Sequence, residues 1–112
     1  MTLFEKIASG EIPARIVHTA DDFIAFHDVH PQAPVHVLIV PKRPIPRLAE
    51  AQPGEAGLLG RMLLAASTIA AELGVAETGY RLVINNGRDA GESVPHLHIH
   101  LLGGRALQWP PG

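Results

Sequence analysis

Ser93-Val94-Pro95-His96-Leu97-His98-Ile99-His100-Leu101-Leu102-Gly103-Gly104 sets a histidine at every second position with aliphatic residues between. Side chains alternate faces along a strand, so His96, His98 and His100 share one face at steps of about 7 Å. Leu97, Ile99 and Leu101 share the other, which is expected to pack on the core beneath a helix. The whole chain holds seven histidines, so three within five residues form a cluster on one wall, apolar behind and imidazole in front.

Working outward, Tyr80–Asn85 predicts another strand, joined to the histidine strand (residues 95–102) by a glycine-rich turn over 86–92. The longest helix is predicted from near Pro53, suited to a first helical position, to about Leu73, with Gly74 as terminator. Leu58, Leu59, Met62, Leu63, Ala66, Ile69, Ala70 and Leu73 form its apolar stripe; Arg61, Ala65, Thr68 and Glu72 lie opposite. Val35–Val40 is a β-branched run that predicts a central strand ended by Pro41. Residues 15–19 and 22–28 predict two strands hinged at Ala20-Asp21-Asp22. Thr2 is a plausible N-cap for a short first helix carrying Leu3, Phe4, Ile7 and Ala8. The order is helix, three strands, helix, two strands: an α+β arrangement with a largely antiparallel sheet covered by helices.

At 112 residues the chain suits one domain, residues 1–112, and its 46% apolar content suits a folded globule. No apolar stretch approaches the roughly 20 residues of a bilayer span. No basic-then-apolar export signal opens the sequence, and cysteine is absent, excluding disulfides and thiolate metal sites; a cytoplasmic location is expected. The net charge of −2 offers no footprint for nucleic acid. Any bound phosphate must therefore be held locally, by backbone N–H groups, histidines or helix termini.

Three readings of the histidine strand compete. One is a polar face with satisfied histidines, although exposed strand faces ordinarily favour Thr, Lys and Glu. A second is a metal site, with Asp28 and Glu92 as candidate carboxylates but neither in obvious phase. The third is phosphoryl or nucleotidyl transfer. Imidazole, with a reference pKa of about 6.5, offers a free lone pair at pH 7 without a separate base. One ring nitrogen must be pinned as a donor so that the other faces phosphorus, while a neighbouring histidine delivers a proton.

His96-Leu97-His98-Ile99-His100-Leu101-Leu102 resembles the signature of the histidine triad superfamily of nucleotide hydrolases and transferases. Leu3-Phe4-Glu5-Lys6-Ile7, Ala25-Phe26-His27-Asp28, Pro31-Gln32-Ala33-Pro34-Val35-His36, Tyr80–Asn85, Gly91-Glu92-Ser93 and the Trp109-Pro110-Pro111-Gly112 tail extend the resemblance almost end to end, to the branch of histidine triad nucleotide-binding proteins. The resemblance implies a five-stranded sheet with two helices per subunit, and a homodimer in which the helix and the Tyr80–Asn85 strand pair into a ten-stranded sheet. It implies cleavage of the P–N bond of adenosine or guanosine 5′-phosphoramidates, with no metal or other cofactor. A purine nucleotide and a second copy of the chain are the implied partners, with neither nucleic acid nor membrane.

By the same resemblance His98 is the nucleophile and His96 supplies the carbonyl that holds its tautomer. His100 and Ser93 contact the phosphate and the leaving nitrogen, and His36 lies behind the triad. Asp28 accepts the ribose hydroxyls, and Asn85 contacts the phosphate end, with Gly91 also in the nucleotide site. Leu3, Phe4, Ile7, Phe26, Val29 and Leu38 wall the base, and Trp109 reaches the partner's site. Phe26 with Asp28, and His36 with Leu38, are in phase on their strands, as a shared pocket requires. Simple core packing for Leu3, Ile7 and Val29, a turn role for Asn85 and a loop-capping role for Asp28 remain alternatives. His18, His27 and His30 read as surface or structural. Two departures bear on substrate choice: Glu92 stands where relatives often carry Gln, setting a carboxylate beside an anionic substrate, and Pro95 stands where an aromatic or aliphatic residue is frequent. A nucleotide-binding module with incidental hydrolysis is the alternative to an enzyme.

Overall fold

The computed structural model describes residues 1–112. Its elements in chain order are α1 (Leu3–Ala8), β1 (Ile16–Thr19), β2 (Phe23–His27), β3 (Val35–Pro41), α2 (Ala56–Glu72), β4 (Tyr80–Val83) and β5 (Ile99–Gly103). The five strands make one sheet in the order β1-β2-β3-β5-β4, every neighbouring pair antiparallel. The α+β reading holds. No helix is long and apolar enough to cross a membrane.

Thr2 caps α1 as its sequence position predicts. The Glu5 N–H donates to the Thr2 hydroxyl oxygen (3.1 Å), and the Thr2 N–H donates to the Glu5 carboxylate (2.8 Å), a reciprocal capping box. Helix α2 begins with a 3₁₀ turn, Pro53–Glu55, and ends at Glu72 just before Gly74, whose φ is 78°.

The sheet is packed on both faces. Against α2 lie Phe23, Ala25, Val37, Ile39, Ile99 and Leu101, which meet Met62, Ala66, Ile69 and Ala70. On the other face Ile24, Phe26, Leu38 and Val40 surround Phe4 of α1. The two clusters use alternate residues of β2 and β3, so period-2 alternation runs beneath their continuous burial. Leu97 is buried but stands outside the helix-side cluster. Within the expected α2 stripe, Leu63 is left half-exposed, whereas Ala65, placed opposite, packs at the edge of the core.

β1, β2 and the end of β5 shift by one residue from the sequence reading, and three other strand boundaries also differ. β3 runs through Pro41 instead of stopping before it. The Lys42 N–H donates to the Asp22 carbonyl on the β2 side, so alternation turns the Pro41 nitrogen toward β5, where pairing has already ended at Ile39–Ile99. A missing N–H there costs no ladder bond. β4 ends at Val83, two residues early. β5 starts at Ile99, four residues after Pro95: the His96 N–H turns back onto the Val94 carbonyl (2.8 Å) and the Leu97 N–H reaches the Ile45 carbonyl (2.7 Å), so this segment bonds to a loop and not to β3. Proline's fixed φ suits the centre of such a three-residue turn.

Candidate active site

Sheet register assembles the floor of the site. Phe26 pairs with Leu38 and Leu38 with His100, setting one row of side chains across β2, β3 and β5. A cavity of about 420 Å³ opens over this row. Of the expected residues its wall contains Leu3, Phe4, Ile7, Phe26, Asp28, Val29, Leu38, Ser93, His98 and His100. That volume is within the range of small-molecule sites. A shallower groove of about 500 Å³ continues past Asp28 along Arg15 and Pro31 and holds none of the triad histidines.

Sequence reasoning missed Ile12, Pro13, Ala14, His27, His30 and Val94, which complete the wall. His27 follows Phe26 at the end of β2, and the exposed His30 is carried by the loop that Asp28 caps, so these two surface residues also line the cavity mouth. Asp28 Oδ1 accepts the His30 N–H at 2.8 Å. The Asp-x-His spacing before Pro31 was the available signal. His18, in contrast, stacks on Phe23 away from the cavity, as a structural residue.

Asn85, Gly91 and Trp109 stand outside the cavity wall. The Gly91 N–H donates to the Arg88 carbonyl (3.0 Å), so it is not free for a phosphate oxygen. Asn85 lies just past the end of β4, and its neighbour Asn86 accepts the Ala49 N–H. Trp109 is 80% exposed, beneath the Arg81 guanidinium. The carboxylate of Glu92 is not left facing the cavity alone, as its sequence position suggested. Arg47 donates to it from Nε (2.9 Å) and from Nη2 (3.1 Å), and the Gly87 N–H adds a third bond (3.0 Å). The Arg47 hydrogen bond holds the Glu92 carboxyl below its ordinary range.

Each histidine has a defined bonding partner. His96 is fully buried; its Nε2 lies 2.7 Å from the Pro41 carbonyl, which can only accept, so Nε2 carries the proton. Its Nδ1 lies 2.6 Å from the Thr2 hydroxyl, which donates to it. The His98 Nδ1 lies 2.7 Å from the His96 carbonyl and is therefore the protonated nitrogen, leaving Nε2 with a bare lone pair. Phe4 packs edge-on against both rings, with centroids 5.6 Å from His96 and 5.0 Å from His98.

The third ring belongs to a relay. The Gln32 N–H donates to His36 Nδ1 (3.0 Å), so the proton of neutral His36 is on Nε2, which faces His100 Nδ1 at 2.9 Å. His100 then keeps its own proton on Nε2. Burial, then repulsion from His98 and His36, pushes the His100 imidazole down to about 4, and burial also lowers His36 and His96. These three rings are neutral at pH 7. Asp28, His36 and His100 bring donor atoms within 4.8 Å of one another, near enough for a small cation. The proton inventory opposes it: Gln32 occupies the Nδ1 lone pair of His36, and a metal on Nε2 would have to displace the proton there.

The arrangement thus presents one unprotonated ring nitrogen beside one N–H donor, their ring centroids 4.9 Å apart, at the wall of a cavity that also carries Asp28 and Ser93 among its apolar residues. That pair suits attack on an electrophile with a hydrogen bond to its leaving group.

Comparison with known proteins places the family and the fold. The HIT domain family matches residues 9–107. An uncharacterized HIT-like protein of Synechocystis sp. is 55% identical over 111 residues, 99% of this chain and 96% of that protein. The crystal structure of a HIT family hydrolase from Legionella pneumophila superposes with a TM-score of 0.97 at 46% identity, covering 100% of both chains. A histidine triad nucleotide-binding protein from Candida albicans superposes with a TM-score of 0.84 at 30% identity, covering 98% of this chain and 83% of that one.

Proposed function

The chain belongs to the HIT domain family, and from that premise we propose that it is a nucleotide-binding member that hydrolyses the P–N bond of purine nucleoside 5′-phosphoramidates through a covalent nucleotidyl-His98 intermediate. One observation carries the reading: the 2.7 Å bond from His98 Nδ1 to the His96 carbonyl, which leaves Nε2 bare at the cavity wall. The similarity to a HIT family hydrolase supports hydrolysis as the reaction type.

In the first step His98 Nε2 attacks phosphorus and the P–N electron pair leaves with nitrogen, which accepts a hydrogen bond from the neutral His100 Nε2–H as it separates and takes its proton from solvent. The His98 ring becomes cationic as the new bond forms, and its Nδ1–H bond to the His96 carbonyl strengthens with that charge. In the second step water attacks phosphorus, releases a proton to solvent, and frees His98 with release of the nucleoside monophosphate. The apolar members of the wall suit a purine base, and the Asp28 carboxylate suits ribose hydroxyls. Ser93 lines the same wall, and its hydroxyl suits a phosphate oxygen as donor. The loop and turn that carry these groups need no metal for this sequence of bonds.

A homodimer belongs to the same proposal. Strand β4 is an edge strand, half-buried along its length, and α2 exposes Leu64 at 72%. Both features suit pairing with a second copy into a ten-stranded sheet. Cytoplasmic residence goes with this reading and is tested by cell fractionation.

The decisive experiment uses a model adenosine 5′-phosphoramidate with label in the phosphate. Labelled nucleotide should be trapped on His98 of acid-quenched protein, and His98→Ala should lower kcat by at least about 10³-fold while monophosphate binding persists. Near-normal turnover by His98→Ala refutes the mechanism. A wild-type kcat/KM far below about 10⁴ M⁻¹s⁻¹ favours a binding module instead.

A further inference from the structure

The direction of the His36–His100 relay is a choice between two proton arrangements. In the one its contacts imply, each ring carries its proton on Nε2 and His100 presents a donor to the cavity. In the reverse, His36 is protonated on Nδ1 and accepts at Nε2 from His100, whose outward nitrogen is then a bare lone pair. The reverse form has no N–H to offer a leaving group.

The deciding contact lies outside the cavity. The N–H that enters His36 Nδ1 at 3.0 Å is the main-chain N–H of Gln32, a group that cannot change its role. Gln32 is in turn held by its carbonyl, which accepts from Arg105 Nε at 3.0 Å. Arg105 follows the end of β5, and Gly104 allows it to come this close: φ at Gly104 is 92°, and a Cβ there would stand 2.9 Å from Pro34 of the same loop. The Gln32 side chain adds a bond to the His30 carbonyl (3.0 Å). Asp28 Oδ2, 3.4 Å from His36 Nε2, favours the same direction from beyond the length of a good hydrogen bond.

We propose that the Gln32 main-chain N–H, held by Arg105, sets the proton arrangement of the His36–His100 pair, making Gln32 and Arg105 positioning residues for the hydrogen bond that His100 Nε2–H donates. The proposal deepens the reading of His100 as hydrogen-bond donor to the leaving nitrogen and rests on it for its catalytic consequence. The chain of bonds runs Arg105 to Gln32, Gln32 to His36, His36 to His100, and then to substrate. Neither Arg105 nor Gln32 lines the cavity, so their effect falls on the departure of the leaving group and leaves nucleotide affinity alone.

The test reads imidazole tautomers by two-bond ¹H–¹⁵N correlation in ¹⁵N-labelled full-length protein at pH 7 without substrate, alongside kcat and KM on the model phosphoramidate. In the wild type, His36 and His100 should both be protonated on Nε2. Gln32→Ala keeps the N–H and should keep that pattern. Gln32→Pro removes it and should shift both rings toward mixed tautomers. Arg105→Ala should do so in part and lower kcat about fivefold, the net worth of one hydrogen bond, with KM held. Arg105→Lys still donates to the Gln32 carbonyl and should recover most of that loss. An Nε2-protonated His100 that persists in Arg105→Ala and in folded Gln32→Pro overturns the proposal, as does a wild-type His100 protonated on Nδ1. If Gln32→Pro fails to fold, the Arg105→Ala spectrum decides. A wild type with the expected tautomers but no phosphoramidase activity would defeat the proposed function and leave the tautomer assignment standing.

Discussion

His96, His98 and His100 are chemically identical residues at alternate positions, and their surroundings give them three different tasks. His96 is immobilised between a carbonyl and a hydroxyl and serves through its own main-chain oxygen. His98 is left with an unprotonated nitrogen and His100 with a protonated one. This division requires neutral rings, and it has a consequence for stability in acid. An unfolded chain protonates imidazole near 6.5, whereas burial lowers His36 and His96 and pushes His100 down to about 4. Below 6.5 the unfolded state binds more protons, so the contribution of these rings is complete above that value and is lost as pH falls through their folded values. Urea midpoints should therefore decline between pH 6.5 and about 4, above the range in which Asp22 and Glu92 lose their charge. A midpoint unchanged from pH 7 to 5 would contradict the neutral state of these three rings in the fold.

At the scale of elements, the site is held by two attachments from short segments. The first is α1, a helix of six residues that could not persist alone and is fixed by Phe4, which is 4% exposed between Phe26, His96 and His98. Phe4→Ala should cost about 3–5 kcal/mol in chemical denaturation. Phe4→Leu should cost clearly less and still lower kcat, because the two histidine rings lose the edge that holds them. Phe4→Leu with wild-type kcat would assign Phe4 to packing alone. The second attachment joins the loop after β3 to the turn before Ser93: Arg47 binds both Glu92 and Glu50, and Asn86 accepts from Ala49. Arg47→Ala should let the Glu92 carboxyl return toward its ordinary range and raise KM roughly 2- to 10-fold, with Arg47→Lys intermediate. An unaltered KM would mean that Ser93 is held without this link. The elements themselves were legible in sequence because caps, alternation and glycine stops are local signals. The start of β5 was not. Its alternation runs unbroken from Pro95, yet β3 offers no partner there, and the N–H groups of His96 and Leu97 go to Val94 and Ile45.

For the whole molecule, the sheet divides two apolar layers, and only one is thick. The α2 side carries the main core, while the α1 side is smaller and gives way to the cavity. The proposed site lies where the sheet is thinly covered. Among the unpartnered surfaces are the β4 edge and the outer face of α2. Sedimentation equilibrium should show two protomers, and Leu64→Glu should weaken the assembly and yield monomer at low micromolar concentration without disturbing the core beneath Met62 and Ile69. A monomeric wild type would remove the ten-stranded sheet from the proposal.

Periodicity and local punctuation in the sequence by themselves determined the element order and the strand phase that sets Phe26 with Asp28 and His36 with Leu38, whereas most of the cavity wall was named by family resemblance. Glu92 shows the limit of that information, because its partner Arg47, 45 residues away in sequence, decides how its charge is held. Only the tertiary structure decided which nitrogen of each ring holds the proton. A tautomer is set by hydrogen bonds, and the groups that set these come from Thr2, Gln32 and Pro41, distant in sequence from residues 96–100 and brought to them by the folded sheet.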